Sequence, residues 1–181
     1  MKRSLFLCFL IALAQPQVAG AATPHDGAHD FDFSIGTWHT HIKRALDPFD
    51  DKSGTIELDG TVTTRSIWNG LGHIEEIEAD GPRGHWEGMG VFLYNPAARQ
   101  WNQYFANSKA GTLGGTPFTG SFENGQGELI SPDSFNDRAI LVRARWFDIA
   151  ADSHSYEEDF SDDGGKSWKL SFRADKTRLK K

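Results

Sequence analysis

Thr37-Trp38-His39-Thr40-His41-Ile42-Lys43-Arg44-Ala45 alternates at every step, with Trp38, Thr40 and Ile42 on one parity and His39, His41 and Lys43 on the other. A period of two puts these two sets on opposite faces of an extended strand. The same period governs the chain from Gly36 onward. Ile56, Leu58 and Val62 share one parity of a second strand that runs to Trp68, and Asn69-Gly70-Leu71-Gly72 then reverses the chain. Asn-Gly is the strongest short hairpin signal because both residues tolerate positive φ. Further strands are expected at 73–80, 86–94, 99–107, 117–123, 126–131, 138–149, 153–161 and 167–175, separated by turns rich in Gly, Pro and Asn. No stretch repeats apolar residues at helical spacing, so no helix is expected.

About ten consecutive short strands with no shift in composition predict one all-β domain, a single antiparallel up-and-down barrel of the lipocalin-like kind. Closing a meander on itself removes its exposed edges. A two-sheet β-sandwich is the alternative that the pattern also fits. Gly111 to Gly115 forms a lid loop or a wide turn between strands.

Residues 1–21 read as a signal peptide. Lys2 and Arg3 are a positive lead, Leu5 to Leu13 is an apolar run of nine residues, and Ala19 and Ala21 are the small residues before a cleavage site. A membrane-spanning helix needs about 20 apolar residues, so the segment is expected to be removed and not to anchor the protein. The remaining organisation is a lead at 22–35, the barrel domain at 36–176 and a basic tail at 177–181. A periplasmic or secreted location follows.

Loss of Lys2 and Arg3 would move the formal net charge from −6 to −8. Neither nucleic acid nor an anionic membrane rewards such a surface. The one cysteine, Cys8, falls within the expected signal, which leaves no thiol or disulfide chemistry. The core must instead be hydrophobic, and thirteen Phe and six Trp supply it.

Two motifs build the fold. Gly36-Thr37-Trp38 sits just before the first strand, behind the aromatic lead Phe31-Asp32-Phe33. Ser161-Asp162-Asp163-Gly164-Gly165-Lys166-Ser167-Trp168 matches the Asp-box pattern S-x-D-x-G-x-[S/T]-W, in which Asp163 accepts turn amides, Gly165 supplies positive φ and Trp168 packs beneath. Together with Trp68-Asn69-Gly70, Ile74-Glu75-Glu76, Tyr94-Asn95-Pro96, Trp101 and Gly120-x-Phe122, these residues resemble a widespread group of exported bacterial domains of unknown function, lipocalin-like and related to the calycins. The resemblance runs over about residues 29 to 175. It implies that Gly36 passes under the barrel floor and that Trp38 plugs the closed end, leaving the other end as the mouth. It carries no catalytic residues.

The candidate ligand-binding residues are Glu75, Trp101, Gln103, Tyr104, Arg143 and Arg145. Glu75 and Glu76 point to opposite faces of one strand, so one of them must point inward, and a buried Glu75 requires a cationic partner such as Arg143 or Arg145. Glu157, Glu158 and Asp159 read as a solvated acidic face. His39 and His41 share a face but lie opposite Trp38, which makes them outer polar residues and not metal ligands. His73, His85 and His154 are the alternatives for an inward haem-type histidine. No metal or cofactor is expected, since no G-x-S-x-G, H-E-x-x-H, phosphate loop or dinucleotide fingerprint occurs. Three functions fit: a barrel binding a small polar or aromatic molecule, an isomerase, lyase or cyclase with an inward carboxylate as acid or base, and a protein–protein module of the cell envelope.

Overall fold

The structure is a computed structural model that describes residues 26–180. The expected signal at 1–21 and the start of the lead lie outside the described residues. The ten expected strands are the ten observed: β1 (Gly36–Ala45), β2 (Thr55–Ile67), β3 (Gly72–Gly81), β4 (Gly84–Asn95), β5 (Gln100–Asn107), β6 (Phe118–Glu123), β7 (Gln126–Phe135), β8 (Arg138–Phe147), β9 (Ser153–Ser161) and β10 (Lys169–Arg178). Each pairs antiparallel with the next, and β1 pairs with β10 to close the ring. The fold is therefore a closed barrel, and the sandwich alternative is excluded.

Boundaries moved where local backbone chemistry dominates. β2 ends one residue early because Trp68, Asn69 and Gly70 all take positive φ. β7 runs past Pro132 to Phe135 although proline cannot donate to a ladder. Pro132 is tolerated because β6 pairs with β7 only between Glu123–Gln126 and Thr119–Ile130, leaving that side of Pro132 without a strand partner. β10 continues through Arg178, so the first two residues of the expected tail are strand.

Alternation decides what fills the barrel. Trp38, Thr40 and Ile42 of β1 point inward, as do Val142, Ala144 and Trp146 of β8. The lead reaches into one end, where a 3₁₀ turn at Asp32–Ser34 brings Phe31 to the centre of the aromatic core. Phe31 meets Phe92, Trp101, Phe122 and Trp146 at centroid distances of 4.8 to 5.1 Å, three of them edge to face.

Trp38, fully buried, donates from Nε1 to Ser34 O at 2.7 Å and lies under the Arg178 guanidinium at 3.9 Å. Arg178 also donates to Phe33 O, Ile35 O and Ala151 O, tying the last strand to the lead. Gly36 has φ +126, and a Cβ there would meet Arg178 Nη1 at 2.5 Å. Trp101 Nε1 donates to Gly27 O at 2.9 Å, and Tyr94 Oη donates to Asp26 O. This end is closed.

The ring is weakest between β5 and β6, which pair only over Trp101–Gln103 and Phe118–Gly120. Residues 108–117 cross the resulting seam. Gly114 N donates to Phe105 O at 2.7 Å, and Ser131 Oγ donates to Thr116 O. The glycine-rich stretch thus covers the side of the barrel next to its open end.

Candidate functional site

The end of the barrel opposite Trp38 opens into a lumen of about 630 Å³. Its walls are contributed by all ten strands and by Thr112 and Gly114–Thr116 of the seam loop. The apolar surface is chiefly aromatic, with Trp86 and Phe105 stacked at 6.1 Å on one side and Trp146, Tyr156 and Phe172 on another. A concave site with aromatic walls and a few convergent polar groups is the ordinary form of a small-molecule site.

Those polar groups come mainly from β1, β3, β5, β9 and β10. Glu75 on β3 faces the lumen, with Lys176 Nζ donating to its Oε2 at 2.9 Å. Both side chains are at least nine-tenths buried. Thr40, opposite Lys176 across β1 and β10, also lines the lumen, and its Oγ1 has no hydrogen-bond partner among the described residues. Gln103 is buried at the same cavity, and its Oε1 is equally without a partner.

Farther along β9, Tyr156 Oη donates to Glu158 Oε1 at 2.6 Å. Burial, offset by the bond from Tyr156, raises the Glu158 carboxyl above its usual range, with Arg44 nearby lowering it and Asp133 raising it. Burial beside Glu158 also pushes the Tyr156 phenol up.

Glu75 and Gln103 therefore face the lumen as their parity requires. Trp101 points inward but belongs to the closed end, packed on Phe31 and bonded to Gly27. Tyr104 does not reach the lumen, because it follows Gln103 on the strand and so lies on the outer parity.

Arg143 and Arg145 are likewise outside. Val142, Ala144 and Trp146 hold the inward parity of β8, which turns both guanidinium groups outward onto β9. There Arg143 bonds Asp159 at 3.0 Å, Arg145 bonds Glu157 at 2.7 Å and Asp159 at 3.1 Å, and Arg173 bonds Glu157 at 2.7 Å. The acidic run is consequently divided: Glu157 and Asp159 lie in this outer network, while Glu158 faces in. Neither end of it is a freely solvated face. The partner that a buried Glu75 requires is Lys176.

The described histidines lie away from the lumen lining. His73, fully buried, sits in the closed end against Trp101, with Nε2 3.3 Å from Asp32 Oδ1, and burial lowers its pKa. His154 packs edge-on against Trp38 and Phe33, and burial, aided by Lys176 and Arg178, pushes its pKa down to about 3. His85 is on the outer surface beside Asp80. His39 and His41 face outward against Asp59 and Glu57. Among the described residues no group of three or more His, Cys, Asp or Glu is arranged to hold a metal.

In the final hairpin, Asp163 Oδ1 accepts from Ser161 Oγ, Lys166 N and Ser167 N, and its Oδ2 accepts from Ser167 Oγ. These bonds hold the carboxyl well below the usual range. Gly165 has φ +86, and the Arg143 guanidinium lies 4.4 Å from the Trp168 ring. The turn at 161–168 braces the outer wall and contributes nothing to the lumen lining, which the two strands of the hairpin do supply.

The residues that sequence reasoning missed are Lys176, Thr40, Tyr156 and Glu158. Their parity alone was a usable signal: Thr40 shares it with Trp38, and Glu158 with Tyr156 and Phe160.

No protein-family model matches this chain, and no curated protein matches it. Among solved structures, a de novo designed fluorescence-activating β-barrel is similar with a TM-score of 0.45 and 12% identity, over 83% of this chain and 98% of that one. An S-type phycobiliprotein lyase from Guillardia theta is similar with a TM-score of 0.57 and 12% identity, over 83% of this chain and 91% of that one. The second likeness establishes a shared barrel fold.

Proposed function

We propose that this chain is an exported β-barrel that binds a small organic molecule with polar and aromatic character in its lumen. The observation that carries the reading is the contrast within one barrel: aromatic side chains plug one end, while the other keeps about 630 Å³ open around convergent polar groups. A structural or protein–protein module would have no use for an unfilled lumen, since empty volume costs packing energy. Export is supported by the positive lead, short apolar run and small-residue site of residues 1–21.

A second reading is an enzyme that uses Glu158 as acid or base. It is favoured by the Tyr156–Glu158 hydrogen bond in the lumen and the raised carboxyl. A phycobiliprotein lyase of similar fold is consistent with it.

Native mass spectrometry of protein purified from the envelope fraction of its own host tests the first reading. A retained small molecule, lost in Ala174→Trp, is the expected result. No retained mass in the unaltered protein, or the same mass retained in Ala174→Trp, overturns it. Amino-terminal sequencing of the same material should begin at Ala22, and an intact Met1 would refute export.

A further inference from the structure

The lumen floor holds hydrogen-bonding capacity that the fold does not use. Gln103 Oε1 and Thr40 Oγ1 are buried with no partner among the described residues, and both side chains line the cavity. A buried polar atom without a partner carries its full desolvation penalty, and a ligand that bonds it recovers that penalty. Lys176 has three N–H donors, of which one is directed to Glu75. The floor therefore offers donors and acceptors together.

Its charge is balanced. Lys176 and Glu75 neutralise each other at 2.9 Å. An anionic or cationic head arriving there would be stripped of water with no unpaired counter-charge to meet it. The other charged side chains of the lumen, Arg44, Asp133 and Glu158, form a separate group farther along β1, β7 and β9. Above the floor, the stacked Trp86 and Phe105 and the Trp146–Tyr156 pair favour a flat body.

We propose that the lumen selects a neutral ligand whose head carries a hydrogen-bond donor beside an acceptor on a flat aromatic body, as in a bicyclic lactam. Gln103 Oε1 accepts from the donor, the amide group turning about the Cγ–Cδ bond to meet it, and Thr40 or Lys176 donates to the acceptor. This rests on the reading of the lumen as a ligand site.

The test is a tryptophan-fluorescence titration of the whole protein with three bicyclic probes of like size. Carbostyril carries the lactam, naphthalene has no head, and naphthoate carries a charge. Carbostyril is expected to bind about tenfold or more tighter than either of the others, the yield of two net hydrogen bonds. Gln103→Leu should remove that advantage while leaving naphthalene within about twofold of its original affinity.

Thr40→Val, a near-isosteric change, should cost carbostyril about threefold and provides the readout if Gln103→Leu does not fold. Equal affinities, or tightest binding of naphthoate, overturn the inference while leaving the lumen a binding site. An advantage for carbostyril that survives both substitutions overturns it too. Failure of all three probes to bind overturns the lumen reading itself.

Discussion

The two ends of this barrel are made by the same strands and do opposite things with their inward side chains. At the closed end, Phe31 fills the centre, and the indole N–H groups of Trp38 and Trp101 are spent on backbone carbonyls of the lead. At the open end, Gln103 and Thr40 keep unused polar atoms, and burial, against the bond from Tyr156, holds the Glu158 carboxyl above its usual range. Stability and ligand chemistry are thus separated along the barrel axis, and each can be disturbed without the other.

The largest expected effect breaks the closed end. Phe31→Ala removes a fully buried ring touching four others and should cost about 4 kcal/mol in urea unfolding. Carbostyril affinity under conditions where the variant is folded should change little. A loss of binding without loss of stability would show that the two ends are not separable.

Acid should act next, and again on the closed end. His154 has a native pKa of about 3 against an ordinary 6.5. Between those values the unfolded chain binds a proton that the native state refuses, so its contribution is intact above pH 6.5 and is lost as pH falls toward 3. The slope is about 1.4 kcal/mol per pH unit at most, with His73 adding to it in the same direction. Glu158 works oppositely, since a raised native value means that protonation favours the folded state. Unfolding measured from pH 7 to pH 4.5 should show the loss, and His154→Phe should flatten it. An unchanged slope in that variant would assign acid sensitivity elsewhere.

A smaller effect comes from the link between the last strand and the lead. Arg178→Ala deletes the cover over Trp38 and three carbonyl partners, for about 2 kcal/mol. The smallest belongs to the open end: Leu113→Ser, on the exposed seam loop, should leave stability within about 0.5 kcal/mol. If that substitution destabilises the barrel by more, the seam is structural and the contrast between the ends is less sharp.

Ten strands of period two made the all-β class and the strand order legible, whereas closure into a barrel and not a sandwich rests on the β1–β10 pairing. The binding site was only half legible, and β8 shows why. Leu141, Arg143, Arg145 and Phe147 form as coherent a parity as Ile140, Val142, Ala144 and Trp146. The outer set tolerates Phe147 because the guanidinium groups of Arg145 and Arg173 lie over its ring, within 5.8 and 5.5 Å. Two faces that both look lumenal cannot be told apart from one strand.

Glu158 was hidden for the related reason that its neighbours Glu157 and Asp159 are buried under arginines on the outside. Lys176 was hidden by its nearness to a basic run, although it stands two residues from the inward Ala174. By contrast, Gln103 was legible because it stands between Trp101 and Phe105 on one parity, and Glu75 was half legible because either it or Glu76 had to point inward.

The bonds from Arg178 to Phe33, Ile35 and Ala151 also impose an order of assembly. The β1–β10 pairing joins residues from opposite ends of the domain and is the most non-local in the molecule. On a ribosome, the lead and β1 emerge first and must wait, with Trp38 and Phe31 uncovered, until the last strand is synthesised. Ring closure and seating of the plug are then one event, slow to arrive and cooperative once begun.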